Sequence, residues 1–237
     1  MKFFETIICD LLDGTKKINT YLTKDLLEAF YDGLSLRYLE ALLEAENIEL
    51  ALAGAFILSE LDQDCDPQVT SLAIRCLDHT HWDMRYHGLR CFHFGQFVPP
   101  QLRVKIFILL SDEHSLVRLM ALRLANLMSI DDYKYVYNFT HLDKAFDEAR
   151  YELEFFFSST DLTQNQISKK INSDIRLERY FGALAASKSE LSKIPLMQEA
   201  AKSEDREVSR FATKILDDLL GSTSQHWYFS VIDATYC

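Results

Sequence analysis

The chain has 237 residues, 48% of them hydrophobic and 26% charged, a soluble globular balance. Only 7 Gly and 4 Pro are present, which leaves little room for the many tight turns of an all-β fold and points to helices. The formal net charge of −11 gives a field that repels phosphate backbones and favours a basic partner.

From the N-terminus, Met1 to Leu12 is expected as a terminal capping helix. It carries one Lys, an apolar stretch broken by Glu5 and no small-residue cleavage pattern, so it is a poor signal peptide. Thr23 is expected to cap a helix from Lys24 to Asp32, which Gly33 breaks. Six helix pairs follow. Their first helices are expected at Leu36–Glu46, Pro67–Leu77, Pro99–Leu110, Asp131–Phe139, Leu162–Ile171 and Glu190–Lys202. Pro67, Pro99 and Pro100 sit at starts, where a missing N–H does no harm, and Asp66, Asp161 and Ser189 stand as caps. The second helices share an apolar anchor at Leu50, Met84, Val117, Ala149, Leu177 and Val208, at gaps of 34, 33, 32, 28 and 31 residues. Four residues on, sharing the anchor's face, stand Gly54, Gly88, Ala121, Leu153, Phe181 and Ala212. A small residue there lets a neighbouring helix come close, and the large Leu153 and Phe181 imply wider spacing late in the chain. After Gly221 the helical period stops. Trp227-Tyr-Phe-Ser-Val-Ile-Asp-Ala-Thr-Tyr236 is expected either to fold back over the last apolar edge or to dock on a partner.

The anchor is followed by Arg at Arg85, Arg118 and Arg150, and preceded by an acidic turn at Asp78, Asp112 with Glu113, and Asp147 with Glu148. In stacked helix pairs such charges can meet across adjacent turns. A period of this length reads as a helical repeat array. His114-Ser-Leu-Val-Arg-Leu-Met-Ala resembles the short HEAT-like repeat built around Asp-x-x-Val-Arg-x-x-Ala, and the resemblance runs over roughly residues 36–220. It is close in units two, three and six and degenerate in four and five. Unit six departs at Ser209, where Arg is expected, which interrupts a continuous charge ladder. The resemblance implies an all-α fold: a right-handed α-α superhelix of about six helix pairs with terminal caps. It would form one domain over 1–221, followed by an aromatic tail over 222–237. In such arrays second helices line the inner curve, which would present Arg85, Tyr86, Leu89, His93, Arg118, Leu122, Arg150 and Glu154.

Charge is uneven along the chain. Residues 1–66 hold 14 acidic and 5 basic side chains, residues 67–129 hold 4 and 7, and residues 130–237 hold 18 and 13. Four histidines cluster at His79, His81, His87 and His93, but His87 and His93 are six apart, the wrong spacing for a metal pair on one helical face. There is no GxGxxG, no GxxxxGK[ST] and no GxSxG, so no catalytic, cofactor or metal residue is assigned. Phe155-Phe-Phe157 reads as core, with one ring toward a neighbour or the groove, and Tyr133, Tyr135 and Tyr137 as a rim. Five scattered cysteines without a CxxC fit a reducing cytoplasm. No apolar run approaches the roughly 18 residues that span a bilayer.

A stiff groove suits a macromolecular guest better than a small substrate. The leading expectation is therefore a cytoplasmic protein-binding scaffold, such as an inhibitor or immunity protein that neutralises a basic toxin or nuclease domain. Its expected contact residues are Trp82, Asp83, Arg85, Tyr86, His93, Arg118, Arg123, Arg150 and Glu154. Membranes, nucleic acids and small molecules are not expected partners. Two other readings come from families with similar repeats. One is an alkylpurine DNA glycosylase, with Trp82, Asp83 and Tyr86 near Arg85, Arg90, Arg118 and Arg123. The other is a lyase or assembly factor for a pigment-bearing protein.

Overall fold

The computed structural model describes residues 2–61, 66–93, 98–140, 147–157, 162–190 and 193–221. The aromatic tail and the proposed cap Asp161 lie outside them. Within the described residues every regular element is a helix: α1 Lys2–Leu12, α2 Thr20–Tyr31, α3 Leu36–Leu43, α4 Ile48–Glu60, α5 Pro67–Cys76, α6 Trp82–Arg90, α7 Pro100–Leu109, α8 Ser115–Leu127, α9 Ile130–Thr140, α10 Asp147–Phe157, α11 Gln164–Ile171, α12 Arg176–Lys188, α13 Lys193–Ala200 and α14 Arg206–Leu220. The chain divides into two compact units, Met1–Val136 and Tyr137–Cys237.

Local chemistry sets most helix starts. The Asp66 carboxylate accepts from the amide of Gln68 ahead of Pro67, as expected of a cap followed by proline. Thr163 and Gln166 close a capping box on α11. Two caps differ from the sequence reading. Asn19, not Thr23, opens α2: its side chain accepts from Leu22, and Thr23 lies in the helix with its hydroxyl donating to the Asn19 carbonyl. Ser189 closes α12 instead of opening α13, because α12 runs through to Lys188.

In the first unit α3 packs on α4, α5 on α6 and α7 on α8, while α4 also meets α6, and α6 meets α8. In the second, α11 packs on α12 and α13 on α14, with α12 touching α10, α13 and α14. Helices enclosed on several sides bury several faces. On α4, Leu50, Ala51, Ala53, Ala55, Ile57 and Leu58 are all buried, and on α12 every residue from Tyr180 to Ser187 is. Leu89 on α6 and Leu122 on α8 are fully enclosed, so neither is displayed on an open face as expected from the repeat. Cys76 and Cys91 are buried thiols, and burial pushes Cys76 up to about 11.

The close approaches fall at glycines. A Cβ on Gly88 would meet the Ala73 carbonyl oxygen at 2.8 Å, and one on Gly54 would meet Leu42 Cβ at 3.0 Å. In α12 the contact is made by Gly182, where a Cβ would sit 2.6 Å from the Ile171 amide nitrogen. The position expected to be small is therefore 182, not Phe181. α11 and α12 are thus in tight contact, three residues after Arg179.

Candidate functional site

The recurring arginines share one arrangement. Arg85 Nη1 donates to the carbonyls of His79 and Thr80 at 2.9 and 2.8 Å. Arg118 Nη1 donates to those of Asp112 and Glu113, both at 2.8 Å. Arg179 Nη1 donates to those of Ser173 and Asp174 at 2.9 and 3.0 Å. In each case the acceptors lie six and five residues back, so the side chain ties the second helix to the turn that feeds it. The remaining donors reach the next turn. Arg85 holds Asp112 in a two-pronged pair at 2.7 and 2.9 Å, and Arg179 holds Asp205 at 3.1 and 2.8 Å. The hydrogen bonds it donates to Asp112 hold the Arg85 guanidinium above its ordinary pKa against the cost of burial. Burial alone would raise Asp205, but the donors of Arg179, a hydrogen bond with the Glu207 side chain and the Val208 amide hold it below the usual carboxylate range. At Ser209 the ladder is replaced: its hydroxyl donates to the Ala201 carbonyl at 2.8 Å.

Two of the expected contact residues lie inside the fold. Arg85 and Arg118 are buried, at 8% and 7% exposure, with guanidiniums committed inside the chain. Trp82 is half-buried at the start of α6, stacked against His114 at 3.6 Å between centroids and 15° between planes, with His81 on a nearly parallel plane at 6.0 Å. Burial lowers the His114 pKa, with Asp112 opposing. Tyr86, Arg123 and His93 are half-buried. Burial raises the Tyr86 phenol, whose charged surroundings are Arg90, Arg123, Asp83 and Glu60. Arg150 is half-buried and Glu154 exposed on α10, in the second unit.

Asp83 reaches within 3.7 Å of His87 Nε2, and His87 Nδ1 lies 2.9 Å from the Ser59 hydroxyl. Serine, histidine and aspartate together suggest a nucleophile, but the arrangement fails chemically. The Ser59 hydroxyl donates to the Phe56 carbonyl at 2.8 Å, and the direction of its bond with His87 Nδ1 is set by the imidazole tautomer. Burial, assisted by Arg90, drops His87 to about 3, and Ser59 and His87 are both buried. His87 is therefore neutral at pH 7 and stands as a buried core polar group. Burial raises Asp83, with His81 opposing. Among the described residues no group of three or more His, Cys, Asp or Glu is placed to hold a metal ion. A surface hollow of about 390 Å³, lined by Lys16, Lys17, Asn47 and Glu49 among others, includes none of the expected residues.

Sequence reasoning missed Arg179, Asp205 and the paired role of Arg90. The signal for Arg179 was present: an Arg three residues before a small Gly182, matching Arg85 with Gly88 and Arg118 with Ala121. The cations of residues 67–129 are mostly engaged within the first unit. Arg75 pairs with Glu40 and Glu44, Arg90 with Glu60, Arg103 with Asp132 and Lys105 with Asp78, beside Arg85 and Arg118. Compared with known proteins, the chain matches no family model, no curated protein and no solved structure. Among the described residues no helix is long and apolar enough to cross a membrane.

Proposed function

We propose that the chain is a HEAT-like array of helix pairs that binds another protein, and that the partner is basic, as for an inhibitor or immunity protein that neutralises a toxin or nuclease domain. The observation that carries the reading is the fate of the positive charge. The middle third has a basic excess in sequence, yet Arg75, Arg85, Arg90, Arg103, Lys105 and Arg118 point into acidic partners or turn carbonyls of the same unit. In the same unit Asp13, Asp25, Glu28, Asp32, Glu46 and Glu49 are exposed. What this unit offers a visitor is therefore mainly negative, which suits fast, charge-steered capture of a cationic protein and disfavours nucleic acid. The stacking of α4 on α6 and of α6 on α8, with turns tied by Arg85 and Arg118, supports the array.

The test is affinity capture with the whole chain as bait, identification of the partner by mass spectrometry, and association kinetics with the purified partner across a salt series. The expected result is a basic protein whose association rate falls as salt rises, and falls again at low salt for Asp25→Asn/Glu28→Gln/Asp32→Asn. An acidic or neutral partner, or a rate indifferent to salt and to that variant, overturns the reading.

A further inference from the structure

The last helix carries an apolar stripe that its neighbours do not finish covering. Val208 and Phe211 are buried, Ile215 and Leu216 half-buried, and Leu219 and Leu220 are 43% and 60% exposed. These residues recur at helical spacing on one side of α14, so the stripe is continuous and only its cover gives out. Helix length explains why. α13 has 8 residues and α14 has 15, so in the hairpin α14 extends beyond its partner by on the order of 10 Å. Exposed leucines at the end of an amphipathic helix, with the stripe unbroken, mark a surface built to be covered.

We propose that this overhanging end of α14 is the docking surface for the chain's own residues 227–236. Three observations select that occupant. Gly221 takes a left-handed conformation, φ 66°, with its N–H donating to the Asp217 carbonyl, so α14 ends sharply there, one residue past its exposed leucines. Ser222-Thr-Ser-Gln-His226 is a polar spacer, and five residues reach on the order of 17 Å, enough to return along the last two turns of α14. Trp227-Tyr-Phe-Ser-Val-Ile232 then supplies apolar and aromatic side chains to match the stripe, with no charge before Asp233. Docking in cis covers Leu219 and Leu220 and completes the side of α14 that α13 is too short to reach. The proposal is independent of the partner reading and stands or falls separately.

The chain has two tryptophans, Trp82 and Trp227, so Trp82→Phe leaves Trp227 as the only reporter in the full chain. The expected result is emission blue-shifted from N-acetyltryptophanamide, shielded from acrylamide and unchanged on dilution. Adding Leu219→Asp and Leu220→Asp is expected to return both properties to those of the free indole with far-UV helicity intact, since neither leucine is part of the buried core. As a second measure, amides of 213–220 should lose hydrogen-exchange protection in Trp227→Ser/Phe229→Ser. Free-indole emission in Trp82→Phe overturns the proposal. So does shielding that survives the leucine changes, exchange indifferent to the tail variant, or shielding that disappears on dilution as a dimer becomes a monomer, which would place a second copy on the stripe.

Discussion

Replacing Gly182 with Ala tests the α11–α12 contact most directly. The added Cβ would sit 2.6 Å from the Ile171 nitrogen, 2.9 Å from the Lys170 carbonyl carbon and 3.0 Å from Lys170 Cβ. Two of those atoms are backbone, so relief requires α11 and α12 to move apart. Overpacking of this kind costs about 1–3 kcal/mol, at the upper end here because no flexible side chain can yield. Alanine in a helix interior returns about 1 kcal/mol relative to glycine. The net expectation is a loss of about 1–2 kcal/mol. Gly54→Ala is the internal control: its nearest neighbours are Leu42 Cβ at 3.0 Å and the Leu43 nitrogen at 3.2 Å. Shifts of a few tenths of an ångström suffice there, and the two effects cancel to within about 1 kcal/mol. The assay is urea unfolding followed by far-UV circular dichroism, each variant against the parent chain. Gly182→Ala equal to the parent, or more stable than Gly54→Ala, would refute the tight α11–α12 contact.

Two further outcomes follow from the buried polar groups. Arg85→Met leaves the Asp112 carboxylate, whose side chain is 5% exposed, without its guanidinium, and should cost about 3–5 kcal/mol in the same assay, whereas Arg85→Met/Asp112→Leu should recover most of it; equal losses in both would show that the pair is not the cause. His87, held neutral with its pKa down at about 3, binds a proton more readily unfolded than folded, so stability should be full above pH 6.5 and fall by up to ~1.4 kcal/mol per pH unit below it toward pH 3. The raised Asp83 opposes this, since the folded state takes up its proton first on acidification. His87→Phe/Asp83→Leu should flatten the pH 4–6.5 limb of a denaturation series, and an unchanged limb would assign the acid loss to other groups.

The sequence by itself determined which segments are helical and nearly how they are paired. The 3.6-residue period, Asp66 before Pro67 and the Thr163–Gln166 box act within a turn or two of chain, so they are visible without a fold. Even the arginine that ties each turn is local, because its acceptors lie five and six residues back. Tertiary structure alone decided which side of each helix is closed. Arg85 and Arg118 read as groove-facing charges, yet Arg85 is enclosed because Asp112 comes to it from 27 residues away, and Arg118 because its turn wraps it. The repeat puts the contact position of α12 at Phe181, and only the Ile171 backbone pressed against Gly182 places it one residue on. Trp82 looked like a free contact residue until His114, supplied by the next pair, stacked on it. A helix's own period fixes the angle between its side chains. Neighbours brought in from some thirty residues away fix which of those angles meets solvent.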